Sequence, residues 1–239
     1  MLSVADDTED IAWSSDGFRL IPSRFPPVSV YESLVAEDRI EALVEVENLT
    51  NPRLHSMERL MGSSLGLSAD SPRLQNWNHA PFAYANPEGS RFFPPERPCL
   101  ELSDSRQTAL AVSVARRETF LGRTSEAPTG LDMRMLKTPL RGNFQDLRSI
   151  EPSLPEKDRW KIGERVPADA DGILFRPPER PTATCLAILK ANVLGRSVQT
   201  VHYRYVWNGK RITVLYAFDN DGTELAPEIL SGETDVLAA

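Results

Sequence analysis

The residue types that most often do chemistry in proteins occur in this chain without the spacings of the common catalytic motifs. The three histidines, His55, His79 and His202, lie far apart, and no His/Cys spacing matches a zinc site. The chain has no glycine-rich phosphate loop and no Gly-x-Ser-x-Gly segment that would present a nucleophilic serine. Acidic residues are numerous, as is usual for a solvated surface. We therefore expect no metal site, and no catalytic residue follows from these motifs.

The segment with the most distinctive order of short sequence motifs runs from residue 77 to residue 121. It contains NPEGSRF at residues 86–92 and five prolines between residues 81 and 98. The apolar residues 99–102 predict a short strand, and the run 107–121 predicts a helix that follows Ser103-Asp104-Ser105. Residues 77–98 are predicted to form a long loop, and a loop of that length inside a compact domain is usually functional or disordered.

This segment resembles the centre of the RES-domain family, the NAD-consuming toxins of bacterial toxin–antitoxin pairs. In that family an NPEGSRF-like segment leads into a strand with a tyrosine, and a helix similar to Thr-Ala-Ile-Ala-Glu-Thr follows. The spacing is the same here, but Glu101 occupies the tyrosine position and Val112 the glutamate position. The words FRLIPSRFPP at 18–27 and LTNPRL at 49–54 resemble one longer subgroup, so the resemblance covers about residues 18–217.

The resemblance implies an NAD pocket whose residues here would be Arg19, Arg91, Glu101 and Val112. A guanidinium group stays charged and offers a planar pair of donors to pyrophosphate oxygens, which suits Arg19 and Arg91 for that role. Without the resemblance, both arginines would be expected to form surface charges or structural ion pairs. NAD is therefore the ligand or substrate that the family implies for this chain.

The other residues that define the family are missing. The catalytic glutamate is replaced by Val112, and the family serine aligns with one of the positions 157–159, where no serine occurs. In the family a Pro-Ser-Val-Arg sequence follows a strand. The corresponding segment here is 176–179, which lacks that sequence and ends on Glu179. The first hypothesis is thus a catalytically degenerate RES domain that acts by binding a ligand or partner.

Two alternatives remain open from the sequence. One is an active toxin that cleaves NAD or ADP-ribosylates a target with other groups, such as Glu101, Glu88 or Glu118. The other is an unrelated structural module, for which Arg19 and Arg91 would point away from each other. In the family a helix-turn-helix antitoxin often covers the cleft, so such a partner is implied here, and a homodimer is a further expectation.

Composition restricts the other classes of function. The chain has 239 residues, 41% of them hydrophobic, which is enough for one globular core. With a net charge of −7 and no run of Lys or Arg, we expect no nucleic-acid partner. There is no 18-residue apolar run and no basic, then apolar N-terminus, so we expect neither a membrane span nor a signal peptide. Cys99 and Cys185 lie in apolar segments, as buried free thiols of a cytoplasmic protein would.

The family fold implied is α+β, a bent mixed β-sheet of the ADP-ribosyltransferase type with surrounding helices. We expect a flexible acidic arm at 1–15, a RES-like domain at 16–218 and a mobile acidic tail at 219–239. Strands are predicted at 18–21, 131–136, 173–175 and 184–190, the last buried on both faces. Helices are predicted within 29–47, in part of 55–76 and at 156–165. The runs 201–207 and 211–216 flank Asn208-Gly209 and predict a hairpin with a type I′ turn.

Overall fold

The computed structural model of this protein describes residues 9–23, 76–83, 86–167, 169–218 and 222–237. Three segments for which predictions were made lie outside these residues: the helices within 29–47, the family-like sequence at 49–54 and nearly all of 55–76. The predictions for those segments therefore stay predictions.

The described chain has an α+β architecture built on one mixed sheet, which confirms the predicted class at that level. The strands are β1 (Asp10–Pro22), β2 (Leu100–Ser103), β3 (Thr129–Asp146), β4 (Gly172–Phe175), β5 (Cys185–Ile188), β6 (Val198–Trp207), β7 (Ile212–Phe218) and β8 (Glu224–Leu225). The α-helices are α1 (Asn76–Ala83), α2 (Arg106–Gly122) and α3 (Glu156–Glu164). Short 3-10 helices cover Ala191–Val193 and Pro227–Ser231. None of the described helices is long and apolar enough to cross a membrane.

Strand β3 is the centre of the sheet. The strand order is β1-β2-β5-β4-β3-β6-β7-β8, and β1 also pairs with β3. Five strands, β1, β2, β5, β4 and β3, thus form a closed circuit of pairings. Only β3 and β4 are parallel, and the other pairs are antiparallel. Because β3 bonds to β1, β4 and β6, it joins the closed part of the sheet to the open part.

The prediction of a short strand at 131–136 was too narrow. Strand β3 continues through Pro139 to Asp146, and β1 pairs with it continuously from Asp10↔Gln145 to Pro22↔Met133. Proline and polar residues in the second half of β3 weaken the local strand pattern. Pairing with the long strand β1 holds that half extended, and such pairing is invisible in the sequence of either strand.

The predicted acidic arm at 1–15 is also wrong for its last six residues, because β1 begins at Asp10. In residues 10–15 only Ile11 and Trp13 are large apolar residues that alternate, and they pack against the third apolar cluster, but so short a pattern does not predict a strand. Their backbone pairs with β3, and the Arg148 guanidinium lies 5.9 Å from the Trp13 ring centre. The predicted strand at 18–21 is confirmed as the later part of β1.

The C-terminal segment packs on the domain, which contradicts the predicted mobile tail for residues 222–237. Leu230 is buried. The fully buried amide of Gln107 lies within hydrogen-bond distance of four carbonyl oxygens, those of residues 229, 230, 232 and 234, and accepts from the Val236 N–H at 2.7 Å. The buried Arg180 donates to the carbonyls of Gly232 and Glu233. Two polar side chains from distant positions thus anchor a segment whose own sequence is acidic.

The predicted loop at 77–98 begins instead with helix α1, which contains Pro81. Residues 86–98 have the irregular turns that the prolines predict. The predicted strand at 99–102 and the helices at 107–121 and 156–165 are confirmed as β2, α2 and α3. Helix α2 begins after Ser105, whose side chain accepts from the Thr108 N–H as an N-cap.

Three apolar clusters form the core around the sheet. One packs α2 against β3, β6 and β7, and a second packs Phe92, Phe93 and α3 against β4 and β5. The third lies on the opposite face of β4 and β5, next to β2. Alternate residues of β5 belong to the second and third clusters, which confirms that this strand is buried on both faces.

The hairpin of β6 and β7 is confirmed, but its predicted turn type is wrong. A type I′ turn needs positive φ at both central residues. Gly209 has a φ of 92°, whereas no described residue other than glycine has a positive φ. The Asn208 side chain accepts instead from the N–H groups of Lys210 and Arg211, each at 2.9 Å. This side-chain bonding stabilises a four-residue connection.

Replacing Gln107 with alanine tests the anchoring of the C-terminal segment. The change leaves buried carbonyls without donors, so we expect Gln107→Ala to lower the free energy of unfolding by about 2–3 kcal/mol. Urea denaturation measures the effect. Thr119→Ala on an exposed position of the same helix serves as control and should cost much less. Equal stability of the two variants would contradict the anchoring role.

Candidate functional site

One cavity collects every side chain that the sequence singled out for ligand binding. It has a volume of about 110 Å³ and lies between β1, β2, the middle of α2 and the loop after β4. Arg19, Arg91, Glu101 and Val112 all line it. We call this cavity the cleft. The other polar or charged residues on its wall are Ser103, Ser113, Arg116, Arg117, Glu179 and Cys185.

Arg19 is held at the cleft by helix α1. In a regular helix the carbonyl of Trp77 would accept from the N–H of residue 81, but that residue is proline and has none. The Arg19 guanidinium donates to this free carbonyl instead. Burial lowers the pKa of Arg19 to about 10, so the side chain still carries its charge at neutral pH. The proline in α1 thus creates the acceptor that positions Arg19.

Arg91 lies on a loop that α3 and its preceding turn hold in place. Its Nη2 donates to the Pro152 carbonyl at 2.8 Å, and its own carbonyl accepts from Arg159 Nε at 2.9 Å. Trp160 Nε1 donates to the neighbouring Ser90 carbonyl at 3.0 Å. The Nε of Arg91 is buried and has no hydrogen-bond partner among the described residues. The structure therefore fixes the loop while one buried donor of Arg91 stays unused.

Glu101 uses both carboxylate oxygens within the protein. Oε1 accepts from the Arg91 N–H at 3.1 Å, and Oε2 accepts from the Arg116 guanidinium. Burial by itself would raise the pKa of Glu101, but the charge and hydrogen bonds of Arg116 and the Arg91 N–H outweigh burial, so the pKa is lowered. Glu101 is thus an ionised carboxylate that links β2, α2 and the Arg91 loop.

Val112 is both a core residue and a part of the cleft wall. It is a partly buried hydrophobic residue that packs against the cluster containing Phe92 and Phe175, which is an ordinary core contact. It also lines the cleft, as the resemblance implied. An isopropyl group offers no hydrogen-bond acceptor and no charge, so this position cannot hold a ligand hydroxyl.

The sequence patterns did not identify three charged residues of the cleft. Arg116 follows Val112 by four positions, so it lies on the same side of the helix, and that spacing could have identified it. Arg117 comes next in sequence and also lines the cleft. Glu179 lies on the loop after β4, and no sequence pattern places a loop residue in a particular cavity. Its Oε2 is buried without a hydrogen-bond partner among the described residues.

The charges of the cleft differ in sign from the charge of the whole chain. Four arginines, at positions 19, 91, 116 and 117, line it together with only two glutamates, at positions 101 and 179. The net charge of the protein is −7. A concave site lined by one sign of charge attracts ligands of the opposite sign. The cleft therefore favours an anion.

Other candidate groups contribute less to the cleft. Glu88 pairs with Arg123 on the exposed surface, and Glu118 accepts from the Ile212 N–H, so neither of these carboxylates lines the cleft. Cys185 lines it, but burial raises the pKa of the Cys185 thiol to about 12, which keeps it protonated and unreactive. Within the described residues no group of three His, Cys, Asp or Glu side chains could hold a metal ion.

Glu101 makes a pH-dependent contribution to stability that can be tested. Its folded-state pKa lies below the ordinary value of 4.5, so ionised Glu101 stabilises the fold above about pH 4.5. That contribution is lost as the pH falls through the lowered folded-state pKa. Because Arg116 is half exposed, we expect Glu101→Gln to cost only about 1 kcal/mol at pH 7.

The measurement is urea denaturation of the wild type and Glu101→Gln between pH 7 and pH 3. The stability difference should shrink below pH 4.5. Glu88→Gln, in an ion pair whose two side chains are exposed, is the control and should change stability little at any pH. A difference that stays constant down to pH 3 would show that the charge of Glu101 is not involved.

Gly163 sets the distance between α3 and the Arg91 loop. A Cβ at this position would lie 1.8 Å from the carbonyl oxygen of Phe92, the residue after Arg91. We expect Gly163→Ala to push the loop away and to cost about 2–3 kcal/mol of unfolding free energy. Gly122→Ala is the matched control, since an added Cβ there meets nothing within 4 Å, and it should be neutral or stabilising in thermal unfolding.

Comparison with known proteins agrees with the resemblance seen in the sequence. The RES-domain family model matches residues 69–208, which is more than half of the chain. The matched region includes Arg91, Glu101 and Val112 and begins after Arg19. A protein of Sinorhizobium fredii, "Uncharacterized protein y4oC", is 60% identical over 230 residues, which cover 96% of this chain and 99% of that protein. The name of that relative states no activity.

Proposed function

This chain belongs to the RES-domain family, and we propose that its cleft binds an anionic nucleotide of the NAD class without turning it over. The observation that supports both halves of the proposal is the composition of the cleft wall. Four arginines supply positive charge, while Val112 occupies the position of the family glutamate. The charge needed for binding is present, and the carboxylate expected for catalysis is absent from that position.

The cleft has charges that suit the pyrophosphate of NAD, but it has room for only part of the molecule. Guanidinium groups suit the pyrophosphate, since they bind phosphate oxygens through paired hydrogen bonds. A volume of about 110 Å³ is roughly seven to eleven times the space that one water molecule needs, which is room for one ring-sized group. The remainder of a dinucleotide would lie outside the enclosed volume. The side chain of Val112 offers no hydrogen-bond acceptor to a ribose hydroxyl.

Loss of the glutamate is expected to affect the chemical step most. Cleavage of the nicotinamide–ribose bond builds positive charge on the ribose, and a nearby carboxylate would stabilise that charge. Removing one preorganised electrostatic group typically costs ~10²–10³ in rate. Glu101 is a poor substitute because both of its oxygens already accept from Arg91 and Arg116. The stacking aromatic implied by the family is also absent from position 101, which weakens placement of the ring.

One observation favours the alternative of an active enzyme. Glu179 lines the cleft, and its Oε2 has no hydrogen-bond partner among the described residues. A carboxylate in that state could stabilise positive charge from a loop instead of from helix α2. Its direction of approach would differ from that of a glutamate at position 112. Measurement of turnover decides between the two functions.

Membership of the family supports further proposals about the partner, the assembly, the location and the fold of this protein. We propose a helix-turn-helix antitoxin as a partner that covers the cleft, a homodimer as an assembly and the cytoplasm as the location. The fold proposal is an ADP-ribosyltransferase-like sheet, and the closed circuit of β1, β2, β5, β4 and β3 supports a strongly bent sheet of that kind. All of these proposals follow from family membership.

Isothermal titration calorimetry with NAD and ADP-ribose tests the binding half of the proposal. We expect wild-type protein to bind both, and Arg91→Ala to weaken the binding of NAD about 10–100-fold because a charged donor set is lost. Arg123→Ala is the matched control: it removes an exposed arginine outside the cleft and should leave affinity unchanged. Equal affinity of the two variants would contradict a ligand role for Arg91.

The same proteins test the catalytic half. Chromatography of nicotinamide released from NAD in phosphate buffer should show no turnover by wild type. Val112→Glu and Val112→Glu/Glu101→Tyr should gain activity, although a carboxylate at 112 would also compete for Arg116 one turn away. Rapid turnover by the wild type that is abolished by Arg91→Ala would establish the active enzyme.

A further inference from the structure

Two side chains of opposite charge on the cleft wall each have an unused buried polar atom. Arg91 Nε is a donor, Glu179 Oε2 is an acceptor, and neither has a hydrogen-bond partner among the described residues. The two groups form no ion pair with each other within the described structure, although both line the cleft. Their charges do interact, because Glu179 is the strongest of the charges that oppose the lowering of the Arg91 pKa by burial.

Leaving such groups unpaired is unfavourable for the free protein. A buried donor or acceptor without a partner costs about 1–3 kcal/mol, and more when it is charged. Unsatisfied buried groups in a folded protein therefore call for a partner that is absent from the protein itself, such as a ligand or water. A donor and an acceptor at one cavity can be satisfied together by a single molecule.

The loop that presents Glu179 is firmly anchored at the next residue, so the backbone that carries this side chain is held before any ligand arrives. Arg180, the next residue, is buried and donates to Ser105 Oγ, Thr108 Oγ1 and the carbonyls of Gly232 and Glu233. The Arg180 N–H donates to the Pro177 carbonyl at 3.2 Å. The start of α2 and the C-terminal segment thus hold Arg180, the residue that follows Glu179. A preorganised group loses little entropy on binding.

We infer that Glu179 and Arg91 together recognise a carboxamide, whose carbonyl accepts from Arg91 and whose N–H donates to Glu179. A primary amide presents its acceptor and donors side by side in one plane, so one group can satisfy a donor and an acceptor together. An amide on a single ring also suits the small volume of the cleft. This inference rests on the proposed nucleotide-binding function and assigns Glu179 the role of a specificity-determining residue.

Specificity should then depend on the distinction between an amide and an acid. A carboxylate in place of the carboxamide has no N–H to donate and places a negative charge beside Glu179. A site built to bond a particular donor discriminates strongly against an analogue that lacks it. If Glu179 becomes glutamine, the repulsion disappears, and the acid analogue can pair with Arg91. The change in preference between amide and acid therefore isolates the contribution of Glu179.

The test is calorimetric titration of the full chain with three nucleotides: NAD, its acid analogue nicotinic acid adenine dinucleotide, and ADP-ribose. Wild type should bind NAD about tenfold more tightly than the acid analogue. Glu179→Gln, which keeps the size of the side chain, should lower that ratio by about tenfold or invert it. Affinity for ADP-ribose, which has neither group, should change little. Glu96→Gln, an exposed position outside the cleft, is the matched control.

The outcomes separate this inference from the proposed function. If ADP-ribose and NAD bind but the ratio of NAD to acid affinity is the same in wild type and Glu179→Gln, the carboxamide assignment is wrong and nucleotide binding stands. If none of the three nucleotides binds wild type, both proposals are overturned. Thermal unfolding of Glu179→Gln checks that the variant is folded. Should it be unstable, the ratio of affinities measured for wild type alone decides, since equal affinities overturn the assignment.

Discussion

The long antiparallel pairing of β1 with β3 is the constraint on which the rest of the described structure depends. It runs from Asp10↔Gln145 to Pro22↔Met133, while Phe18 of β1 also pairs with Ser103 of β2. One strand thus closes the circuit of five and places Arg19 in the wall of the cleft, which the β2 residue Glu101 also lines. The closure needs a residue without a side chain at Gly17, where a Cβ would lie 2.8 Å from side-chain atoms of two leucines. Slippage of this register by one residue would turn Arg19 away from the cleft.

Unsatisfied backbone groups and buried polar side chains then determine what surrounds the cleft. Pro81 leaves the Trp77 carbonyl without its helical donor, and Arg19 supplies one. The buried side chains of Gln107 and Arg180 satisfy the carbonyls of a C-terminal segment that has little regular structure of its own. In each case a polar group far away in sequence supplies the missing partner. These bonds connect α1 and the C-terminal segment to the same cavity, so the site and the stability of the fold are coupled.

Charge in the cleft is organised around Glu101. Its ionised carboxylate balances Arg116 and bonds the Arg91 N–H, so that two of the arginines are held by one acceptor. The remaining positive charge, together with the unused Arg91 Nε, is available to a ligand. By the resemblance to the family, a carboxylate occupies the tyrosine position on the strand, and an apolar group occupies the glutamate position on the helix. The engaged state of this carboxylate is the basis of the proposal that the cleft binds a ligand without cleaving it.

The sequence by itself determined the family, the α+β class and most short elements, because these depend on local patterns. The apolar run of β5, the Ser105 N-cap of α2 and the Asn208-Gly209 connection are signals contained within a few residues. Only the tertiary structure decided the length of β1 and β3, the anchoring of residues 222–237 and the presence of Glu179 in the cleft. Each of these depends on a partner more than 50 residues away, and neither segment alone contains the information. The early residues of β1 become strand because β3 satisfies their backbone, which their short local pattern cannot report.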